Sequence, residues 1–246
     1  SLVASKAKMA STRTVGTMFL QLLYTMIDNN PGNTDRVLNL PTNDAWLTPW
    51  SKYLESIGVV YRKGHELVEI QMESGAAGAS VSGGIVRDVK TGKNLPPVTA
   101  DYYIMAMPVE VAAKIIEASP LMTQAAPALE NVIKLSPNVE WMNGIQYFLT
   151  EDFSQHRGHT VYSGANYALT SISQKQFWPN YDLEERFCGK AKGIFSVDIS
   201  DWEKPGNFNN KPAKDCTKEE VIHECWRQLK DEINVDGKEP LKDEML

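Results

Sequence analysis

The chain contains no G-x-G-x-x-G, no G-x-S-x-G and no C-x-x-C, and each absence closes a class of chemistry. Without the first, no glycine loop cradles a dinucleotide pyrophosphate at the N-terminus of a helix. Without the second, no nucleophile elbow presents a serine. Cysteine is scarce: Cys188, Cys216 and Cys225 are an odd set, expected as reduced thiols rather than a disulfide framework or a zinc site. Long apolar runs are missing as well. The strongest, Met18 to Ile27, is interrupted by Gln21 and Thr25 and falls short of the roughly 20 apolar residues of a membrane span. Basic blocks interleaved with aromatics are absent, and a net charge of −6 argues against a nucleic-acid partner. Neither a secretory leader nor a retention signal is recognisable, so a cytoplasmic location is expected, with peripheral membrane contact left open.

What remains has the composition of a globular protein. The 246 residues are 42% apolar and 23% charged, enough to bury a sizeable core. Residues 11–28 place Val15, Met18, Phe19, Leu22, Leu23 and Met26 at helical spacing, and Asn29-Asn30-Pro31-Gly32 predicts its stop. A second helix is expected from about Ala45 to Ile57, ended by Gly58. The period then changes. Val59–Arg62, Glu66–Met72 and Ile85–Val89 read as strands of an antiparallel meander, with Ser74–Gly84 as a glycine-rich turn region and Thr91-Gly92-Lys93-Asn94 as a turn.

Asp101–Met107 is a nearly continuous apolar run ahead of Pro108. It predicts a strand buried on both faces, as in a mostly parallel sheet, followed by a helix over Val109–Glu117. Beyond a proline-bearing linker (Pro120, Pro127, Pro137 and later Pro179 mark its irregular stretches), Val139–Thr150, Thr160–Ser171 and Gly193–Ile199 read as long strands of a second, antiparallel sheet. Thr217-x-x-Glu220 signals a capping box. The helix it opens carries Ile222, Cys225, Trp226, Leu229 and Ile233 as its stripe, and the charged tail after Asp236 is expected to be mobile.

Few constellations carry chemistry. His156 and His159 lie three apart with no further ligand nearby, which favours a solvated loop over a metal site. Asp152, Asp182, Asp198 and Asp201 show no catalytic spacing, and Gly75-Ala-Ala-Gly78 reads as a turn rather than a phosphate cradle. Trp141, Tyr147, Tyr162, Tyr167, Phe177, Trp178 and Trp202 cluster in the second sheet. Core packing is one account of them and a large apolar ligand pocket is the other.

Four segments resemble one family. They are Pro41-Thr42-Asn43-Asp44-Ala45-Trp46-Leu47-Thr48-Pro49-Trp50 with Tyr53–Val59, then Leu67-Val68-Glu69-Ile70, then Ala100–Pro108, and last Ala168–Trp178, echoed by Asp198–Trp202. Together they are similar to the phytoene desaturase and hydroxysqualene dehydroxylase branch of the flavin amine-oxidase superfamily, over roughly residues 11–235. The resemblance implies a mixed α/β (α+β) architecture: a partial FAD-binding, Rossmann-like domain with an inserted substrate domain of antiparallel sheet and helices. Residues 1–57 would be the helical part of the substrate domain and the entry to the FAD domain. Residues 58–118 would be part of the FAD domain, 119–235 the substrate domain and 236–246 a tail. The implied activity is hydride transfer from an isoprenoid or other apolar substrate to FAD, with the flavin carrying the redox chemistry. By position Leu67, Ala106, Met107 and Pro108 would border the cofactor, and Tyr167, Gln174, Phe177 and Trp178 would line the substrate cavity. The family's glycine fingerprint and its C-terminal glycine-rich FAD segment are not in the sequence, so the expectation is an interior fragment, inactive alone. The alternative is a non-catalytic module that binds an apolar ligand.

Overall fold

The computed structural model describes residues 10–27, 37–76, 78–140, 142–153 and 155–246, the side chain of Met26 excepted. The expected turn at Asn29–Gly32 and the aromatic Trp141 lie outside the described residues. Helices α1 (Thr12–Ile27) and α2 (Thr48–Ser56, preceded by a π-turn over Asn43–Leu47) come first. Strands β1 (His65–Gly75) and β2 (Gly78–Asp88) follow, then helices α3 (Val109–Ala118), α4 (Pro120–Ala125) and α5 (Glu130–Leu135). Next come β3 (Asn143–Leu149), β4 (Thr160–Val161) and β5 (Leu169–Ser173), the short helix α6 (Leu183–Arg186), β6 (Gly193–Ile199) and α7 (Lys218–Ile233). The chain is thus mixed α/β with two antiparallel sheets, and it divides into two compact units, Leu54–Val139 and the remainder. No helix among the described residues is long and apolar enough to cross a membrane.

The Leu54–Val139 unit is a two-stranded hairpin packed under helices. Ile70 of β1 meets Ile115 and Ile116 of α3 and Met122 of α4, and Leu67, Met72, Val81, Met105, Met107 and Ile133 pack against them. The buried Ser119 hydroxyl accepts from the Ile70 amide at 3.0 Å, tying the end of α3 to the hairpin.

Four expectations fail here, each for a physical reason. Val59–Arg62 forms no strand; Val60 and Tyr61 are exposed, and the Tyr61 ring lies under Lys63 Nζ at 5.8 Å. Ser74–Gly84 is mostly strand rather than turn. Gly83 and Gly84 serve close approach: the chain at Val98 crosses them, exchanging two 2.9 Å hydrogen bonds with Gly84. A Cβ on Gly84 would sit 3.0 Å from Leu67 Cδ1. Asp101–Met107 is not a strand buried on both faces. It is extended, with Tyr103, Met105 and Met107 half-buried and Tyr102 and Ile104 each 89% exposed. A nearly continuous apolar run cannot reveal that only one side is covered, and no parallel sheet or Rossmann-like unit is formed by the described residues. Finally, the proline-bearing linker is helical, because Pro120, Pro127 and Pro137 sit in the first two positions of their turns, where a missing N–H costs nothing.

The larger unit centres on a four-stranded sheet of order β3-β6-β5-β4. Thr160–Ser171 is two strands rather than one: the chain reverses so that Thr160 pairs with Ser171, and Ala168 takes a φ of 50°. Register puts Tyr147, Phe195, Val197, Ile199 and Leu169 on one face, where they join Cys225, Trp226, Leu229 and Ile233 of α7 in the main core. Helix α7 opens with the expected capping box between Thr217 and Glu220. The tail after Asp236 is docked, not mobile. Leu241 is fully buried and Met245 nearly so. Asp243 accepts from Trp226 Nε1 at 2.7 Å and from Lys230 Nζ at 2.6 Å. Its many charges obscured two apolar anchors four residues apart.

Candidate functional site

The partly buried apolar side chains packed against the main core include Ile145, Trp202, Cys216 and Ile222. All four converge on one cleft of about 400 Å³, together with Asn143, Gly144, Gln146, Ile199, Lys218 and Val221. Two elements frame it: the first half of β3 and the opening turns of α7. Tyr147 holds them together by donating its hydroxyl to the Ile222 carbonyl at 2.8 Å, while its ring lies 4.9 Å from that of Trp226. The Trp202 indole donates to the Ile199 carbonyl at 3.0 Å, so its ring forms a fixed wall.

Cys216 closes the other side, and its position depends on a buried polar network. The Glu224 carboxylate, 2% exposed, accepts from the amides of Phe208 and Asn209 and from Gln228 Nε2, at 3.0, 2.9 and 2.8 Å. Gln228 in turn accepts from the Tyr167 amide, and the Tyr167 hydroxyl donates to the Lys211 carbonyl at 2.9 Å. Cys216 Sγ lies 3.6 Å from that hydroxyl and 3.5 Å from Asn209 Nδ2. Gly206 is required beneath this network, since a Cβ there would meet Glu224 Oε1 at 2.6 Å.

The electrostatics favour binding over proton transfer. Burial pushes the Tyr147 and Tyr167 phenols and the Cys225 thiol up, so all three stay protonated near neutrality. Lys211 and Glu220 are bound to each other at 2.8 Å, and this contact raises the lysine and lowers the glutamate. Among the described residues lining the cleft, Lys218 is the sole ion, accompanied by the amides of Asn143 and Gln146 and the thiol of Cys216. No acid–base pair faces the cleft among the described residues. A larger, open groove of about 810 Å³ along α7 and the tail is lined by both signs of charge, among them Arg227, Lys230, Asp231 and Asp243. The smaller cleft, with its apolar wall and few polar groups, is the better ligand site.

The expected site residues are placed apart. Leu67 and Met107 meet in the core of the Leu54–Val139 unit, whereas Ala106 and Pro108 are exposed. Phe177 and Trp178 join Leu183 and Ile194 in a small cluster, beside Gln174, whose amide reaches Ser196 Oγ at 3.3 Å. Tyr167 belongs to the main core instead, fully buried. The aromatics of the second sheet are therefore divided: Tyr147, Tyr162 and Tyr167 in the main core, Phe177 and Trp178 in the small one, and Trp202 in the cleft wall. Ile145 and Lys218 gave no signal in sequence, because strand pairing and helix docking alone bring them together.

His156 Nε2 lies 3.0 Å from the His159 carbonyl, and no cluster of three or more His, Cys, Asp or Glu fit to hold a metal occurs among the described residues. Among the described residues, the start of α3 offers no phosphate cradle. Helix α3 has Pro108, which lacks an N–H, at its N-cap and Glu110 in its first turn, an arrangement that repels phosphate. No protein-family model matches the chain, and no curated protein matches it.

Proposed function

We propose that the chain contributes the substrate side, and the apolar flank of the cofactor side, of an FAD-dependent oxidoreductase acting on isoprenoid or similarly apolar molecules. The four-segment resemblance to the phytoene desaturase and hydroxysqualene dehydroxylase branch motivates the reading. The observation that carries it is the extended segment Asp101–Met107 leading into α3. Its inner side chains, Met105 and Met107, are anchored in a core, and its outer ones, Tyr102 and Ile104, are bare. Such a bare apolar face is covered when a further layer of protein packs on it. In this reading the covering layer and the phosphate grip lie outside the described residues. The absence of an acid–base pair from the cleft also accords with chemistry carried by a flavin.

The test is to purify the native gene product containing these residues and record its absorption spectrum. Flavin absorption, lost on denaturation and extraction, is the expected result. A colourless product that takes up no FAD would falsify the proposal.

A further inference from the structure

The cleft between β3 and α7 has a composition that selects its occupant, independently of the flavin reading. Ile145, Trp202 and Ile222 give it an apolar body, and each is held half-buried against a core that leaves one face uncovered. A volume of about 400 Å³ lies within the range of small-molecule sites, too small for a folded partner. Its charge is one-sided. Lys218 stands at the rim, and no carboxylate is among the described lining residues. The nearby Glu220 is already engaged by Lys211 and by the Thr217 amide, at 2.8 Å each. Asn143, on the same face of β3 as Ile145, adds a polar side chain to the lining.

We infer that this cleft binds a small anionic amphiphile, a monocarboxylate whose apolar body lies against Trp202 while its carboxylate meets Lys218. The apolar wall supplies affinity, and the ammonium distinguishes an acid from the equivalent alcohol or cation. The same head-and-chain chemistry occurs in free fatty acids and in anionic lipid, so the test separates the two.

The full chain is titrated calorimetrically with sodium decanoate, decanol, decyltrimethylammonium or anionic phospholipid vesicles. Location is read in parallel from alkylation of the three cysteines by iodoacetamide, followed by peptide mass spectrometry. Cys188 is exposed, Cys216 half-buried and Cys225 buried, so two of them serve as internal controls. Expected is one-to-one binding of monomeric decanoate, with slower alkylation at Cys216 and no change at Cys188. Lys218→Gln, at an exposed position, should weaken decanoate about fivefold and leave decanol unchanged. Ile222→Trp should abolish binding by filling the cleft. No decanoate binding, equal binding of the cation, an unaltered affinity in Lys218→Gln, or binding to vesicles alone overturns the inference. So does decanoate binding that survives Ile222→Trp, which also decides the location should Cys216 resist alkylation.

Discussion

Glu224 shows how one side chain can organise a site it does not enter. Its carboxylate satisfies two backbone amides of the loop that leads to Cys216 and one side-chain amide of its own helix. Removing it leaves two part-buried amides and the buried Gln228 amide without this acceptor, at about 1 to 3 kcal/mol for each one left unpaired. Glu224→Ala is expected to lower the free energy of unfolding by about 3 kcal/mol in urea titrations. A loss under about 1 kcal/mol would mean that water replaces the carboxylate. The residue was illegible in sequence, because a glutamate on a helix of mean charged character reads as a solvated face. Burial of a carboxylate is a property of what folds over it, here the loop through Gly206 and Asn209.

Among the elements, α7 was the most legible and the Asp101–Met107 segment the least. The capping box, the apolar stripe and the length of α7 all follow from local spacing. Local bonds made by Thr217 and Glu220 do not depend on the rest of the fold. Thr217→Ala should therefore cost about 1 kcal/mol, read from the urea midpoint at unchanged slope. Retention of full stability would place the stability of the first turn in Glu220 and Lys211 instead. By contrast, strand boundaries in Thr160–Ser171 and burial of Asp101–Met107 depend on partners distant in sequence. A chain reversal at Ala168 and a bare outer edge at Tyr102 and Ile104 are tertiary facts. Gly83 and Gly84 mislead in the same way, since glycine marks both a turn and a place where two backbones touch.

At the scale of the molecule, residues 236–246 matter more than their charged composition suggests. Leu241 and Met245 are part of the main core, and Asp243 fixes them in place. The Lys230 ammonium, and next the Trp226 indole, hold the Asp243 carboxyl below its ordinary value of 3.8. A carboxyl with a lowered folded pKa stabilises fully above its unfolded pKa, and that contribution fades as pH falls through the folded value. Stability of the wild type should thus exceed that of Asp243→Asn near neutrality. The two should converge only under acid conditions, below the ordinary aspartate range. Urea midpoints measured across pH check this, and parallel curves down to the acid limit would show that the carboxylate charge is not what matters.

Docking of the tail also sets an order of events during synthesis. Thr150, just past the end of β3, donates its amide to the Met245 carbonyl and its hydroxyl to the Glu244 carbonyl, across a sequence separation of 94 residues for the latter bond. The Leu54–Val139 hairpin and helices, by contrast, pair over short stretches and have their core in hand once Ile133 has left the ribosome. Local pairing outruns distant pairing. The nascent chain therefore carries a finished hairpin-and-helix unit while the β3 sheet still waits for the tail that closes its far end.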